Sequence, residues 1–254
     1  MAAENGKVGT NPYAVRTPLD FRGMYRDPEG VGRPLRLTIY GWLAVMFLAF
    51  LVQLAISLPA DPDNFAGQTD YRLIQMGGLL GLLRSLLYLA CLILTLVWIF
   101  RCYSNLLHAG IRLDNSPGMA VAWFFVPILN LWKPYVVLRQ LWQGSHYGLR
   151  DAPMHGQVGQ WRSQEVSPLI TLWWIFIFCQ FLLFVLGFAF TIFLASLDAE
   201  SLHRFFRVPM IAAFLIMPVQ VGLGLILSRI TVAIGHAQNS RMEGKEGYLF
   251  ESQP

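Results

Sequence analysis

The chain has 254 residues, of which 55% are hydrophobic and only 13% are charged. Ordinary soluble domains carry about a quarter of charged residues, and the apolar residues here are gathered in long runs, so a soluble domain is excluded. The formal net charge of +4 comes from dispersed Lys and Arg without a Lys-rich block. We therefore expect no nucleic-acid partner and attribute the positive charge to contact with a membrane surface.

Four apolar segments are long enough to cross a bilayer, which takes about 20 predominantly apolar residues. They are residues 37–58, 77–100, 169–197 and 209–230. We expect a polar N-terminal tail over residues 1–34, a membrane domain over residues 35–240 and a polar C-terminal tail over residues 241–254. The predicted fold class is an all-α integral membrane protein with four transmembrane helices.

The second span continues into a polar helical stretch. With about 3.6 residues per turn, four of its polar side chains fall on one helix face: Arg101, Asn105, His108 and Arg112. One interpretation is a site for an anion, such as a lipid headgroup or a carboxylate. The other is a solvated helix end whose cations balance the helix dipole and face anionic lipid. Gly110 is expected to end the helix.

Residues 116–142 resemble a fifth span but contain Pro127 and Pro134, with Asn130 and Lys133 between them. Broken backbone at membrane depth is tolerated only where it is buried in protein, faces water or lies at the interface. We therefore predict an interfacial or re-entrant pair of short helices between the second and third spans, rather than a crossing.

Three prolines define this helix pair. Pro117 suits the first turn of the first helix, after a cap from Asp114, Asn115 or Ser116. Pro127 is expected to end or kink that helix, and Pro134 suits the first turn of the second helix. The three prolines are thus predicted to act as structural hinges.

The second short helix is predicted to be amphipathic. Its polar side holds Lys133, Arg139, Gln140 and Gln143, and its apolar side holds Tyr135, Leu138, Leu141 and Trp142. Such a helix is expected to lie along the membrane interface. The hinge has two interpretations. Either Asn130, Lys133 and Tyr135 form a polar pocket, or they serve as a backbone partner, a snorkelling cation and an interfacial anchor.

Loop charges predict the orientation of the chain. If residues 116–142 do not cross, the outer connections keep only the cations Arg72, Arg204 and Arg207. All other loop and tail cations then lie inside, as the positive-inside rule requires. We therefore expect four crossings with both termini in the cytoplasm.

One set of residues forms an Arg–Tyr–Asn–Leu stretch, a Ser-Pro-Gly helix start and a Trp-rich run with two prolines. They are Arg101, Tyr103, Asn105, Leu106, Ser116, Pro117, Gly118, Trp123, Pro127, Asn130, Pro134 and Tyr135. This combination resembles an uncharacterised bacterial membrane family, domain of unknown function 4328, over about residues 37–240. The resemblance implies a bacterial inner-membrane protein. It implies no catalytic residue, because the family has no assigned activity.

Known catalytic patterns are absent from the sequence. The five histidines are scattered, and no metalloprotease, nucleophile-elbow, P-loop or dinucleotide motif occurs. We expect no metal and no cofactor. The leading hypothesis is a non-catalytic accessory or scaffold subunit that binds partner proteins or lipid headgroups through residues 101–166. The alternatives are a small transporter or channel gated at the Pro127–Pro134 hinge, and a lipid-modifying enzyme with His108 as its base.

Overall fold

A computed structural model of the protein describes residues 24–57, 71–148, 160–196 and 208–251, and these ranges are helical without a β-strand. The α-helices are α1 (Glu29–Ser57), α2 (Tyr71–His108), α3 (Pro117–Ala122), α4 (Lys133–Gln143), α5 (Pro168–Ala195) and α6 (Val208–Glu251). Two 3₁₀ helices, Leu129–Leu131 and Gln160–Ser163, and a π-helix, Gly144–Gly148, complete the described ranges.

Four of these helices, α1, α2, α5 and α6, are long and apolar enough to cross a membrane. The predicted fold class, an all-α protein with four transmembrane helices, is thereby confirmed. The helices extend beyond the apolar segments, since α2 continues to His108 and α6 continues to Glu251, inside the predicted C-terminal tail. A helix need not end where its apolar run ends, because its backbone hydrogen bonds are formed within the helix itself. Residues 1–23 of the predicted N-terminal tail and the span ends at residues 58 and 197 lie outside the described residues.

The first and last helices pack against each other in antiparallel directions. At one end the rings of Phe50 and Phe214 meet edge to face, with centroids 5.0 Å apart. Further along, the Tyr40 hydroxyl lies 2.7 Å from Ser228 Oγ. At the other end, just before α1 begins, the Tyr25 hydroxyl donates to an α6 side chain at 2.5 Å. These contacts fix the register of α1 on α6 along the whole of α1.

Helix α2 packs on another side of α1, also antiparallel. The Trp42 and Tyr88 rings lie 5.8 Å apart between their centroids, and the backbone of Arg26 is hydrogen bonded to α2 near its end. Helix α5 packs against α6. The four long helices therefore follow the spatial order α2, α1, α6, α5.

The contact between α5 and α6 depends on a glycine. A Cβ atom added to Gly222 would lie 2.1 Å from Cε1 of Phe176 on α5, closer than any real van der Waals contact. The absence of a side chain at this position therefore allows the two helices to approach.

We predict that Gly222→Ala destabilises the bundle by about 1–3 kcal/mol, the usual cost of overpacking, and lowers its unfolding temperature in detergent. Gly187→Ala on α5 is the matched control, because nothing lies within 4 Å of its added Cβ. The double variant with Phe176→Leu should regain part of the lost stability. Equal unfolding temperatures for the two single variants would contradict this prediction.

We call the part of the chain between α2 and α5 the connecting segment. Its described residues are 109–148 and 160–167. Gly110 follows the end of α2 with a φ of 82°, as expected for a glycine that ends a helix. Ser116 caps α3, since its side chain accepts from the Met119 amide at 3.3 Å. Pro117 and Pro134 stand in the first turns of α3 and α4, as predicted.

The connecting segment is attached to one end of the bundle. Helix α3 packs on α2 and α4 packs on α5, while the π-helix packs on α6. Helix α3 ends at Ala122, before Pro127 is reached, so Pro127 lies in the turn between the short helices. We call this end, which also holds the start of α1, the polar end of the bundle.

Candidate functional site at the polar end of the bundle

Two buried amides form the centre of the polar end. Asn105 is only 3% exposed, and its Nδ2 donates to the Arg26 carbonyl at 2.8 Å and to Gln238 Oε1 at 3.0 Å. Its Oδ1 accepts from the Arg26 amide at 3.1 Å. Gln238 Nε2 in turn donates to Ser145 Oγ at 3.0 Å and to the Cys102 carbonyl at 3.3 Å. This amide cluster joins α2, α6, the π-helix and the segment before α1.

The predicted polar stripe on α2 is divided between two environments. Arg101 Nη1 donates to the Asp27 carbonyl at 3.0 Å, and Asn105 binds the neighbouring Arg26 backbone. His108 and Arg112 are exposed. The first two residues therefore hold the start of α1, and only the last two face outward.

A second hydrogen-bonded chain attaches the connecting segment to α2. The buried Tyr103 hydroxyl donates to Gln140 Oε1, and Gln140 Nε2 donates to Asp114 Oδ2. The other oxygen of Asp114 pairs with Arg162 at 2.8 Å, and Arg162 also donates to the Arg112 carbonyl at 2.9 Å. This chain links side chains of α2, α4, the turn before α3 and the 3₁₀ helix Gln160–Ser163.

The prediction that Gln140 and Gln143 share an outward polar face with Lys133 and Arg139 is wrong. Both glutamines are buried, and Gln143 Nε2 donates to the Gln164 carbonyl at 2.6 Å. Polarity alone does not place an amide at the surface, because a buried amide with partners is well tolerated. Helix α4 therefore buries a wider face than its apolar residues indicate.

The three hinge residues do not form one pocket. Asn130 is exposed in a 3₁₀ helix. The Lys133 ammonium lies 5.0 Å from the centre of the Trp123 ring, which is cation–π geometry. Tyr135 is half-buried, with its ring 6.2 Å from that of Trp174. Arg139, the last candidate, is exposed on α4.

The outer surface of the connecting segment carries several exposed apolar side chains, which we call the apolar patch. Its members are Met119, Phe125, Val126, Ile128, Leu131 and Trp132. Phe125 is 66% exposed and Ile128 is 71% exposed. Lys133 follows directly in the sequence. The polar end thus combines a hydrogen-bonded interior with an apolar outer surface.

Sequence reasoning missed Gln238 and Ser145. Gln238 had a signal, since it continues the buried series Ile230 and Ile234 at a spacing of four residues, which puts it on the core-facing side of α6. No sequence pattern pointed to Ser145, because its burial depends on the π-helix. Within the described ranges, no group of three or more His, Cys, Asp or Glu residues is arranged to hold a metal ion.

Comparison with known proteins identifies one family. The model of the family described as domain of unknown function, DUF4328, matches residues 71–232, which is more than half of the chain. No curated protein and no solved structure matches the chain. The matched range includes α2, the connecting segment, α5 and most of α6.

Proposed function

The chain belongs to the DUF4328 family, and we propose that it is a non-catalytic integral membrane protein that acts as an accessory or scaffold subunit. It binds partner membrane proteins through the apolar patch of its connecting segment. We further propose that it resides in the inner membrane of a bacterium, with both termini and the polar end in the cytoplasm.

The exposed apolar patch is the observation that carries this proposal. The patch directly precedes α4, and α4 is attached to the rest of the polar end through the hydrogen bonds of Gln140 and Gln143. Groups of exposed apolar side chains mark surfaces that contact another protein or the membrane. An apolar surface beside a cation, Lys133, is suited to docking a partner at the membrane boundary.

The interior of the polar end supports a binding role rather than chemistry. Asn105, Gln140, Gln143 and Gln238 are all used in hydrogen bonds between elements of the protein itself. The alternative of a channel gated at the hinge gains no support, since Pro127 and Asn130 are exposed on the connecting segment.

The charges at the polar end support the proposed orientation. Exposed arginines gather there on several elements: Arg26, Arg33, Arg112, Arg139, Arg162 and Arg229. Cations beside membrane spans are retained on the cytoplasmic side. The opposite half of the bundle, within the described ranges, contributes Arg72 and Arg84.

We expect a photo-crosslinking side chain at position 125 or 128 to form a discrete adduct with another integral membrane protein in native membranes. Ile128→Asp should abolish the adduct formed at position 125, because a carboxylate disrupts an apolar contact. The matched control is position 184 on α5, where Phe184 is 67% exposed, and we expect it to yield lipid adducts. Lipid adducts alone at all three positions would refute partner binding.

A further inference from the structure

A groove lies between α6 and the π-helix, and it shares no residue with the apolar patch. Its volume is about 420 Å³, and it is lined by His146, Val232, Ala233, His236, Ala237 and Ser240. The floor is built of small aliphatic side chains. Two imidazoles and a hydroxyl supply the polar groups, and no carboxylate of the described residues lines the groove.

The π-helix sets the position of His146. Ser145 is fully buried and accepts a hydrogen bond from Gln238 at 3.0 Å, which anchors the turn to α6. The next side chain, His146, lines the groove and stacks on Trp142 with 4.0 Å between ring centroids. Its Nδ1 lies 3.0 Å from the Trp142 carbonyl. One wall of the groove is therefore held in place, and π-helical turns often occur at functional sites.

Helix α6 contributes a hydrogen-bond-donating imidazole within the groove and a cation beside it. Arg229 and His236 are both exposed and seven residues apart, so they lie on one face at about 10.5 Å along the helix. Neither forms a hydrogen bond or an ion pair with any residue in the described part of the chain. Arg229 does not itself line the groove; it lies about one turn before Val232 on the same face of α6, beside the groove.

The class of ligand follows from these polar groups and from their depth relative to the membrane. The apolar segment 209–230 ends beside Arg229, so the groove begins where a membrane's headgroups lie. Divalent transition metals favour thiolate, imidazole and carboxylate ligands in sets of three or four, which this lining lacks. An arginine with imidazole N–H donors suits a phosphate oxyanion, and the aliphatic floor suits the adjoining glycerol and acyl chain.

We propose that this groove binds the phosphate of an anionic phospholipid headgroup, with Arg229 and His236 as its principal donors. The proposal goes beyond the proposed function and is independent of it, because the apolar patch takes no part in the groove.

The test is lipid binding to the full-length protein in detergent, measured by native mass spectrometry during titration with phosphatidylglycerol. We expect Arg229→Gln with His236→Gln to weaken binding by about tenfold or more, since a charge-assisted hydrogen bond contributes about 1.5–3 kcal/mol. Arg229→Lys keeps the charge and should retain most of the affinity. Arg33→Gln is the control for loss of one cation at the same end, because the Arg33 side chain is 76% exposed and Arg33 belongs to α1, which supplies no residue to the groove.

Three results would overturn the proposal. The first is unchanged phosphatidylglycerol binding in the double variant, and the second is equal weakening by Arg33→Gln. The third is binding of inorganic phosphate that the double variant abolishes while lipid binding persists, which would identify free phosphate as the ligand. Crosslinking from position 125 should be the same in the double variant, so failure of the groove proposal and failure of partner binding are distinguishable.

Discussion

Asn105→Leu should destabilise the protein more than any substitution on the exposed side of α2. The change removes hydrogen bonds to both backbone groups of Arg26 and to Gln238 Oε1. Each buried group left without a partner costs about 1–3 kcal/mol, so the total loss is about 3 kcal/mol or more. The start of α1, the end of α2 and α6 should all loosen.

Cys102 is a suitable reporter for this effect, because it is fully buried and its carbonyl accepts from the same cluster. With Cys91 and Cys179 replaced by Ala, a thiol-reactive fluorophore will label Cys102 at a lower temperature in Asn105→Leu than in the parent protein. His108→Leu makes the same kind of change at an exposed position of the same helix. If both variants label at the same temperature, the amide cluster does not stabilise the polar end.

Gln140→Leu should detach the connecting segment from α2 while leaving the four long helices assembled. The variant leaves the buried Tyr103 hydroxyl without its acceptor and Asp114 without its amide donor. We expect a loss of about 2 kcal/mol or more and faster proteolysis within the connecting segment. Arg139→Leu, one residue earlier and exposed, is the control.

A double variant distinguishes a lost hydrogen bond from a packing defect. When Tyr103→Phe is added to Gln140→Leu, neither partner of the original bond remains, and removing both is less costly than removing one. We therefore expect the double variant to be more stable than the sum of the two single effects predicts. Strict additivity would show that the two side chains act separately.

The long helices and several of their ends follow from the sequence for local reasons. A run of apolar residues as long as 169–197 has few alternatives to a membrane helix. The helix boundaries at Gly110 and Pro134 depend on the backbone preferences of those residues, and the boundary at Ser116 depends on the cap that its own side chain forms. Such features need no knowledge of the rest of the chain.

The interior of the polar end could not be predicted in the same way. Asn105 and Gln238 are separated by 133 positions in the sequence, and Gln238 and Ser145 by 93. Only the folded structure shows that each of these amides has a hydrogen-bond partner. A prediction from polarity alone therefore put Gln140 and Gln143 on the wrong side of α4. Sequence patterns identify polar groups, but burial depends on distant partners.

The pairing of the first helix with the last has a consequence for biosynthesis. Helix α1 is synthesised first, yet Ser228, the hydrogen-bond partner of the Tyr40 hydroxyl, lies 188 residues further along the chain. Until then one face of α1, including Ile39, lacks its protein neighbour, since Gly224 is the residue against which Ile39 packs. We therefore expect the hairpin of α1 and α2 to exist in the bilayer without α6 while the rest of the chain is synthesised. In that state a chaperone or insertase would have access to a surface that the folded protein buries.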